Sequence, residues 1–273
     1  MSKSYFRLNR HNHTARSHSN GYNDIIPLGV YNQVPAFNPL ILSVPCVTWF
    51  KGDAGLTKVG TIPLSWVNYG TNGGTATFSN PCIVVQINGK DAVRMPDEQH
   101  YAQFTLNMTS IPRSVFAVFK FANVTIGFAP YTFLSQEHNT RTKDWQVGLY
   151  TNFSPYLYSW LSFSYNYDFM ILSGFNTPSP AGVLYTMGLT NASSSANNLL
   201  TINGVTRSLN QYNQGSGSAY LTGSYTAYLG SNLTTSPSDY DMTIAEILIF
   251  DGAVTSAESA TITSYLRTKW GTA

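Results

Sequence analysis

The strongest constraint on the fold lies at the end of the chain. Thr243–Phe250 (TIAEILIF) reads as a strand and Asp251–Gly252 as a turn. Thr255–Trp270 (TSAESATITSYLRTKW) reads as a helix, with Gly271 placed to stop it. Thr255 and Glu258 have capping-box spacing, in which the threonine oxygen accepts from the Glu258 amide and the glutamate reaches back. Ile262, Tyr265, Leu266 and Trp270 recur at helical spacing and form one apolar face. The sequence before this helix reads as strands and turns, so a lone helix closes an all-β chain.

Short apolar runs bounded by turn residues recur from residue 44 onward. Val44–Phe50, Ser65–Asn68, Ile83–Ile87, Ala92–Met95, Tyr101–Met108, Ser114–Phe121 and Leu199–Ile202 are among the strands expected, and Asp53–Leu64 reads as a loop. Asn88-Gly89 and Asn203-Gly204, each between apolar runs, are hairpin turns, because both central residues of such a turn need positive φ. Phe153–Tyr167 is aromatic-rich and is read as two strands. Many short strands at this spacing predict a two-sheet antiparallel sandwich. No internal repeat or later linker is visible, so 46–273 is read as one domain.

Residues 1–45 differ from this body. Their first part has no hydrophobic period. The remainder carries single apolar residues among Pro27, Pro35, Pro39 and Pro45, which favours extended backbone. Lys3, Arg7, Arg10 and Arg16 all precede the first acidic residue, Asp24. A basic, proline-spaced arm is therefore expected to dock on a partner, with Arg7, Arg10, Arg16, Tyr22 and Tyr31 as contact residues. Four basic charges are few for packaging nucleic acid, so a protein groove is the preferred dock over phosphate.

Charged residues make up 10% of the chain, against roughly 25% in an average soluble domain. Hydroxyls and amides must then do much of the solvation, which suits secreted β domains, lectins and virion proteins. Cys46 and Cys82 make one disulfide at most, and buried free thiols are the expected state. The polar N-terminus carries no apolar core of a signal peptide, and no run is long enough to span a membrane.

An ordered set of segments carries a family resemblance: Cys46–Asp53 (CVTWFKGD), Ser65-Trp66 with Asn68 and Gly70, Asn88–Arg94 (NGKDAVR), Ser114–Lys120 (SVFAVFK), Leu199–Gly204 (LLTING), Tyr228–Ser231 (YLGS) and Ile244–Trp270. Together they resemble concanavalin A-like, or laminin-G-like, jelly-roll domains. The likeness is greatest to the variety found in virus and phage particles and on bacterial surfaces. The resemblance implies a sandwich of two curved sheets with the closing helix near one edge. Trp49, Trp66 and Trp270 are expected in its core or margins.

Catalytic patterns are weak. Glycosidases need two carboxylates facing across a cleft, and the Glu-x-Asp-x-x-Glu strand of the glucanases does not occur here. Glu246 lies in an apolar strand. It is read as a structural carboxylate satisfied by hydrogen bonds or by an arginine, with Arg94 as a candidate of the right type. Asp239 and Asp241 share one side if extended and could hold calcium with backbone carbonyls, but a solvated loop is the favoured reading. His11, His13 and His18 lack the fixed geometry of a metal site. No catalytic residue, metal or cofactor is assigned.

The aromatic alternation Tyr156, Tyr158, Trp160 places three rings on one strand face, as core or as a face for glycans or other subunits. The expected function is a non-enzymatic structural virion protein (minor capsid, cement or decoration) that contacts other capsid or particle proteins. The alternative is a carbohydrate-binding module or lectin for host or surface glycans, on the particle or extracellular.

Overall fold

The computed structural model describes residues 37–97, 99–109, 113–122, 130–137, 143–151, 157–163, 168–171, 182–191, 199–207, 210–212, 223–230 and 241–272. The strands in chain order are β1 (Cys46–Lys51), β2 (Leu56–Val59), β3 (Ile62–Val67), β4 (Thr75–Phe78), β5 (Ile83–Ile87) and β6 (Lys90–Met95). Then come β7 (Ala102–Met108), β8 (Arg113–Phe121), β9 (Pro130–Glu137), β10 (Lys143–Thr151), β11 (Leu157–Phe163) and β12 (Asp168–Ile171). The last six are β13 (Leu184–Asn191), β14 (Leu199–Ile202), β15 (Val205–Arg207), β16 (Asn210–Tyr212), β17 (Gly223–Leu229) and β18 (Met242–Phe250), followed by the helix α1 (Ser256–Trp270).

These strands form two antiparallel sheets. One runs β15-β14-β13-β8-β18-β6-β5, with β1 also paired to β18. The other runs β16-β12-β11-β10-β9-β17-β7-β4-β3-β2. Alternation in β7 shows how the second sheet is used: Ala102, Phe104, Leu106 and Met108 are buried, while Gln103, Thr105 and Asn107 face solvent. Period-2 patterning of this kind fits a sheet with one wet face. The core between the sheets takes Phe50, Trp66, Val115, Ala117, Phe119, Phe121, Ile247 and Ile249 among others. The all-β sandwich with one C-terminal helix is the fold expected from sequence.

Strand β18 is the centre of the first sheet, and all nine of its residues are buried. One face is covered by the second sheet. The other lies under α1, which also packs on β8 and β13. A bulge between Ile244 and Glu246 in the pairing with β8 reverses the alternation. Met242 and Ile244 point into the core before it, Ile247 and Ile249 after it. Glu246 thereby leaves the intersheet core for the face beneath the helix. Strict alternation from Ile244 would have put its carboxylate among hydrocarbon.

Local expectations hold at both hairpin turns and at the helix cap. Asn88 and Asn203 both have φ of 50°, with Gly89 at 75° and Gly204 at 79°. Thr255 accepts from the Glu258 amide, Glu258 reaches back to the Thr255 amide, and Gly271 adopts the left-handed conformation. The segment Asp53–Leu64, expected as a loop, instead contains β2 and the start of β3. Gly60 makes the tight turn at φ 60°, and Pro63 sits beside a bulge in the β2–β3 pairing. A strand tolerates a residue without an N–H there. Strand β16, three residues long, likewise carries no clear sequence signal.

The segment around Asn68 shows why its residue types matter. Asn68 accepts from the Trp49 and Gly70 amides at 2.8 Å each and donates to the carbonyls of Val47 (3.2 Å) and Gly73 (3.0 Å). It thereby joins the β3–β4 connection to β1. A Cβ on Gly70 would lie 2.5 Å from the Val47 carbonyl, so this approach needs glycine. Both cysteines are free and buried. Burial pushes the Cys82 thiol up to about 12 and the Cys46 thiol up as well.

Candidate functional site

Helix α1 has two polar environments on opposite flanks. The first is built around Glu246, which is fully buried. Its Oε1 accepts from Trp49 Nε1 at 2.7 Å and from the Tyr265 hydroxyl at 2.9 Å. Its Oε2 accepts from Trp270 Nε1 at 2.7 Å and pairs with Lys269 Nζ at 2.7 Å. A carboxylate offers about four lone-pair sites, and all are taken. Lys269 also reaches Asp53 at 2.7 Å and the Tyr265 oxygen at 3.1 Å, which occupies its three ammonium hydrogens. Burial pushes the Tyr265 phenol up, and the Glu246 charge beside it adds to the effect.

Lys51 completes this cluster. Its ammonium sits 4.2 Å from the Trp49 ring centre and 4.0 Å from that of Tyr69. Burial lowers its pKa, and the Lys269 charge lowers it further, against Glu246 and Asp53. Two cations thus balance two anions. Arg94, the partner type considered for Glu246, instead makes a forked pair with Asp241, its Nε at 2.8 Å from Oδ1. Asp241 is correspondingly buried at 7% exposure rather than held in a solvated loop. The sequence signal for a satisfied structural carboxylate was sound, but its partners were tryptophan, tyrosine and lysine.

The second environment is a cleft of about 560 Å³ between the outer flank of α1 and the β14–β15 hairpin. It arises because the sheet continues past the helix: β14 and β15 extend beyond β13 to the sheet edge. The helix contributes Ser256, Ser259, Thr263 and Arg267, and the hairpin contributes Thr201 and Thr206. Among the described residues the lining holds hydroxyls and one guanidinium, with no carboxylate and no aromatic ring.

Two buried donor groups here lack hydrogen-bond partners: the Thr263 hydroxyl, on a side chain 4% exposed, and Arg267 Nε. They stand four residues apart, on one face of the helix. Leaving such groups unpaired costs roughly 1–3 kcal/mol each. The Asn203-Gly204 turn forms the far end. Asn203 accepts from the Thr186 amide at 2.8 Å, fixing the turn to β13. A Cβ on Gly204 would lie 2.3 Å from Arg267 Nη1, so a larger residue there would displace the guanidinium.

The described lining of this cleft contains none of the residues proposed from sequence. Arg7, Arg10, Arg16, Tyr22, Tyr31 and Tyr156 lie outside the described residues. Tyr158 and Trp160 fall on β11, and their side chains are also outside the description. One cleft wall does coincide with Leu199–Gly204, a segment that carried the family resemblance. The helix wall had a readable signal too. Ser256, Ser259, Thr263, Ser264 and Thr268 spend hydroxyl residues of modest helix propensity on one flank of the helix.

No family model matches the chain, and no curated protein matches it in sequence. Solved structures do match. The chain aligns over 81% of its length with a botulinum neurotoxin serotype D ligand-binding domain in complex with N-acetylneuraminic acid, at 13% identity and TM-score 0.58, covering 50% of that chain. A botulinum neurotoxin type C structure matches over 81% at 14% identity and TM-score 0.58, covering 51% of that chain. Cell entry of that toxin depends on interaction with two ganglioside molecules. A Trypanosoma rangeli sialidase in complex with 2,3-difluorosialic acid matches over 82% at 12% identity and TM-score 0.55, covering 33% of that chain. The chain therefore spans about half the length of the toxin domains and a third of the sialidase. At these identities the likeness is one of fold: a concanavalin A-like β-sandwich. What the toxins and the sialidase bind belongs to those longer proteins.

Proposed function

We propose that this chain is a carbohydrate-binding domain that holds its ligand in the cleft between α1 and the β14–β15 hairpin. The observation that carries this reading is a cleft with exposed hydroxyls on both walls: Ser256, Ser264 and Thr268 on the helix and Thr206 on the hairpin. Hydroxyl side chains both donate and accept, as sugar hydroxyls do. A volume of about 560 Å³ falls within the roughly 300–1,000 Å³ of pockets that hold small ligands. Leu199 and Ala260 supply apolar contact for the carbon face of a sugar ring. The occurrence of this sandwich in proteins solved with sialic acids supports the same reading.

Binding without turnover is the simplest use of this site. Its described lining has no acid–base pair, and the buried Glu246 has no accepting capacity left for a substrate. Docking on particle proteins through the N-terminal arm is a separate reading that rests on sequence alone.

The test is a glycan array probed with the whole chain, followed by saturation-transfer NMR on the hits. Saturable binding of a defined sugar class, weakened by Thr201→Val with Thr206→Val, is the expected result. No saturable binding of any glycan at millimolar concentration would overturn the proposal.

A further inference from the structure

Arg267 is the single charged residue in the described lining of the cleft. Its side chain makes no ion pair and donates no hydrogen bond to the described residues, and its Nε is buried without a partner. The carbonyls at the helix C-terminus offset its charge without taking its side-chain hydrogens. Contrast Lys269 two residues later, whose ammonium is bonded to Asp53, Glu246 and Tyr265. The same helix end thus carries one satisfied cation and one that waits.

We infer that the cleft selects sugars bearing a carboxylate, with Arg267 as the anion anchor, an inference that rests on the carbohydrate-binding reading above. A guanidinium presents its N–H groups in near-parallel pairs, the geometry that matches a carboxylate. Nη1 lies against the Gly204 turn, 2.3 Å from where a Cβ on that glycine would stand. Ser264 and Thr268, beside it on the helix, offer exposed hydroxyls to an adjacent ring oxygen or hydroxyl.

The rest of the lining narrows the ligand further. One cation without a second basic neighbour suits a monoanion, not a polyphosphate or a heavily sulfated chain, which call for several Lys or Arg contacts. The lack of a described aromatic side chain removes the stacking platform that a nucleobase would use. Hydroxyls on both walls favour a polyol over a simple fatty or amino acid. A sugar acid, of the sialic or uronic kind, meets all three conditions.

The test compares each acid with its neutral counterpart on the whole chain by titration NMR or calorimetry: methyl N-acetylneuraminate glycoside against its methyl ester, and methyl glucuronide against methyl glucoside. The expected result is tighter binding of the acids, with Arg267→Gln reducing that preference about tenfold, as loss of a charge-assisted fork does. Lys58→Gln removes the same charge at an exposed pair with Asp91 and should leave the preference intact. Arg267→Lys keeps the charge without the fork and should fall between, which guards against a glutamine variant that misfolds. Equal binding of acid and neutral sugar, or a preference that survives Arg267→Gln, overturns the inference and leaves carbohydrate binding standing. Inorganic sulfate competing as well as the sugar acids overturns it too, by reducing the site to a small-anion seat. No binding of either sugar overturns the parent proposal along with it.

Discussion

The two flanks of α1 are made from similar materials and end in opposite states. On one flank Glu246, Lys269, Tyr265, Trp49 and Trp270 close on one another until each donor and acceptor named above is used. On the other, Thr263 and Arg267 are buried or half-buried with donors to spare. A saturated buried network holds a fold together, since removing any member strands the others. An unsaturated one lowers stability, since each unpaired donor keeps its desolvation cost. The two Asn-Gly turns repeat the contrast. Asn88 donates to the Trp270 carbonyl and closes the end of the helix. The Asn203-Gly204 turn leaves space, and Arg267 uses it.

The sharpest way to break this contrast is Glu246→Ala. It leaves two indole N–H groups and a phenol without an acceptor and Lys269 with Asp53 as its remaining carboxylate. A loss of about 3–5 kcal/mol follows from stranding a buried charge network, read as a lower urea midpoint at unchanged slope. A loss below about 1 kcal/mol would show that the network is not the structural node described here. Sugar binding is not the readout, because the carboxylate has no free face toward the cleft.

The next effect is smaller and compares the two turns directly. Gly89→Ala and Gly204→Ala each place a side chain at positive φ, at a cost of roughly 1–2 kcal/mol. Nothing lies within 4 Å of a Cβ at Gly89, whereas one at Gly204 meets Arg267 Nη1 at 2.3 Å. Only the Gly204 variant should alter ligand binding. If both variants leave binding alike, Arg267 is not seated as described.

The helix start offers a pH-dependent comparison. Burial opposes the Glu258 carboxylate, but bonds from the Thr255 and Ser43 amides, together with side-chain hydrogen bonding, outweigh it and hold its pKa at about 2 against an ordinary 4.5. A depressed carboxylate stabilises the fold above its unfolded pKa, and that stability drains as pH falls from about 4.5 toward 2. Glu258→Gln should cost about 1 kcal/mol at neutral pH and flatten this part of the acid unfolding curve. An unchanged acid limb would mean that other carboxylates set it.

The smallest expected effect has the most telling sign. Thr263→Val removes a buried hydroxyl that has no partner, so stability should stay within about 0.5 kcal/mol or rise, even though valine is no better a helix former. A thermal scan without ligand checks this. A loss above about 1 kcal/mol would mean that the hydroxyl is satisfied in solution and that the cleft is less open than its geometry indicates.

Much of the scaffold was legible because its signals are local. A capping box, an Asn-Gly pair and the strand over Tyr101–Met108 depend on residues within a few positions of one another, and each appears in the structure. The hairpin made of β2 and β3 was missed because Pro63 argues against a strand unless a bulge accommodates it. Glu246 is the structural carboxylate expected, satisfied by hydrogen bonds and Lys269 rather than by the candidate Arg94. Its real partners come from β1 and from two turns of α1, up to 197 positions away.

The sequence alone determined that this chain would be an all-β sandwich closed by one capped helix, because short-range backbone preferences suffice for that. Tertiary structure decided which flank of the helix would be filled. One extra residue at the Ala245 bulge turns Glu246 out of the core and under α1, where it collects its donors. The overhang of β14 and β15 past the helix leaves Thr263 and Arg267 without theirs. Neither the phase of a strand across a bulge nor the reach of a sheet edge is written in any local run of residues.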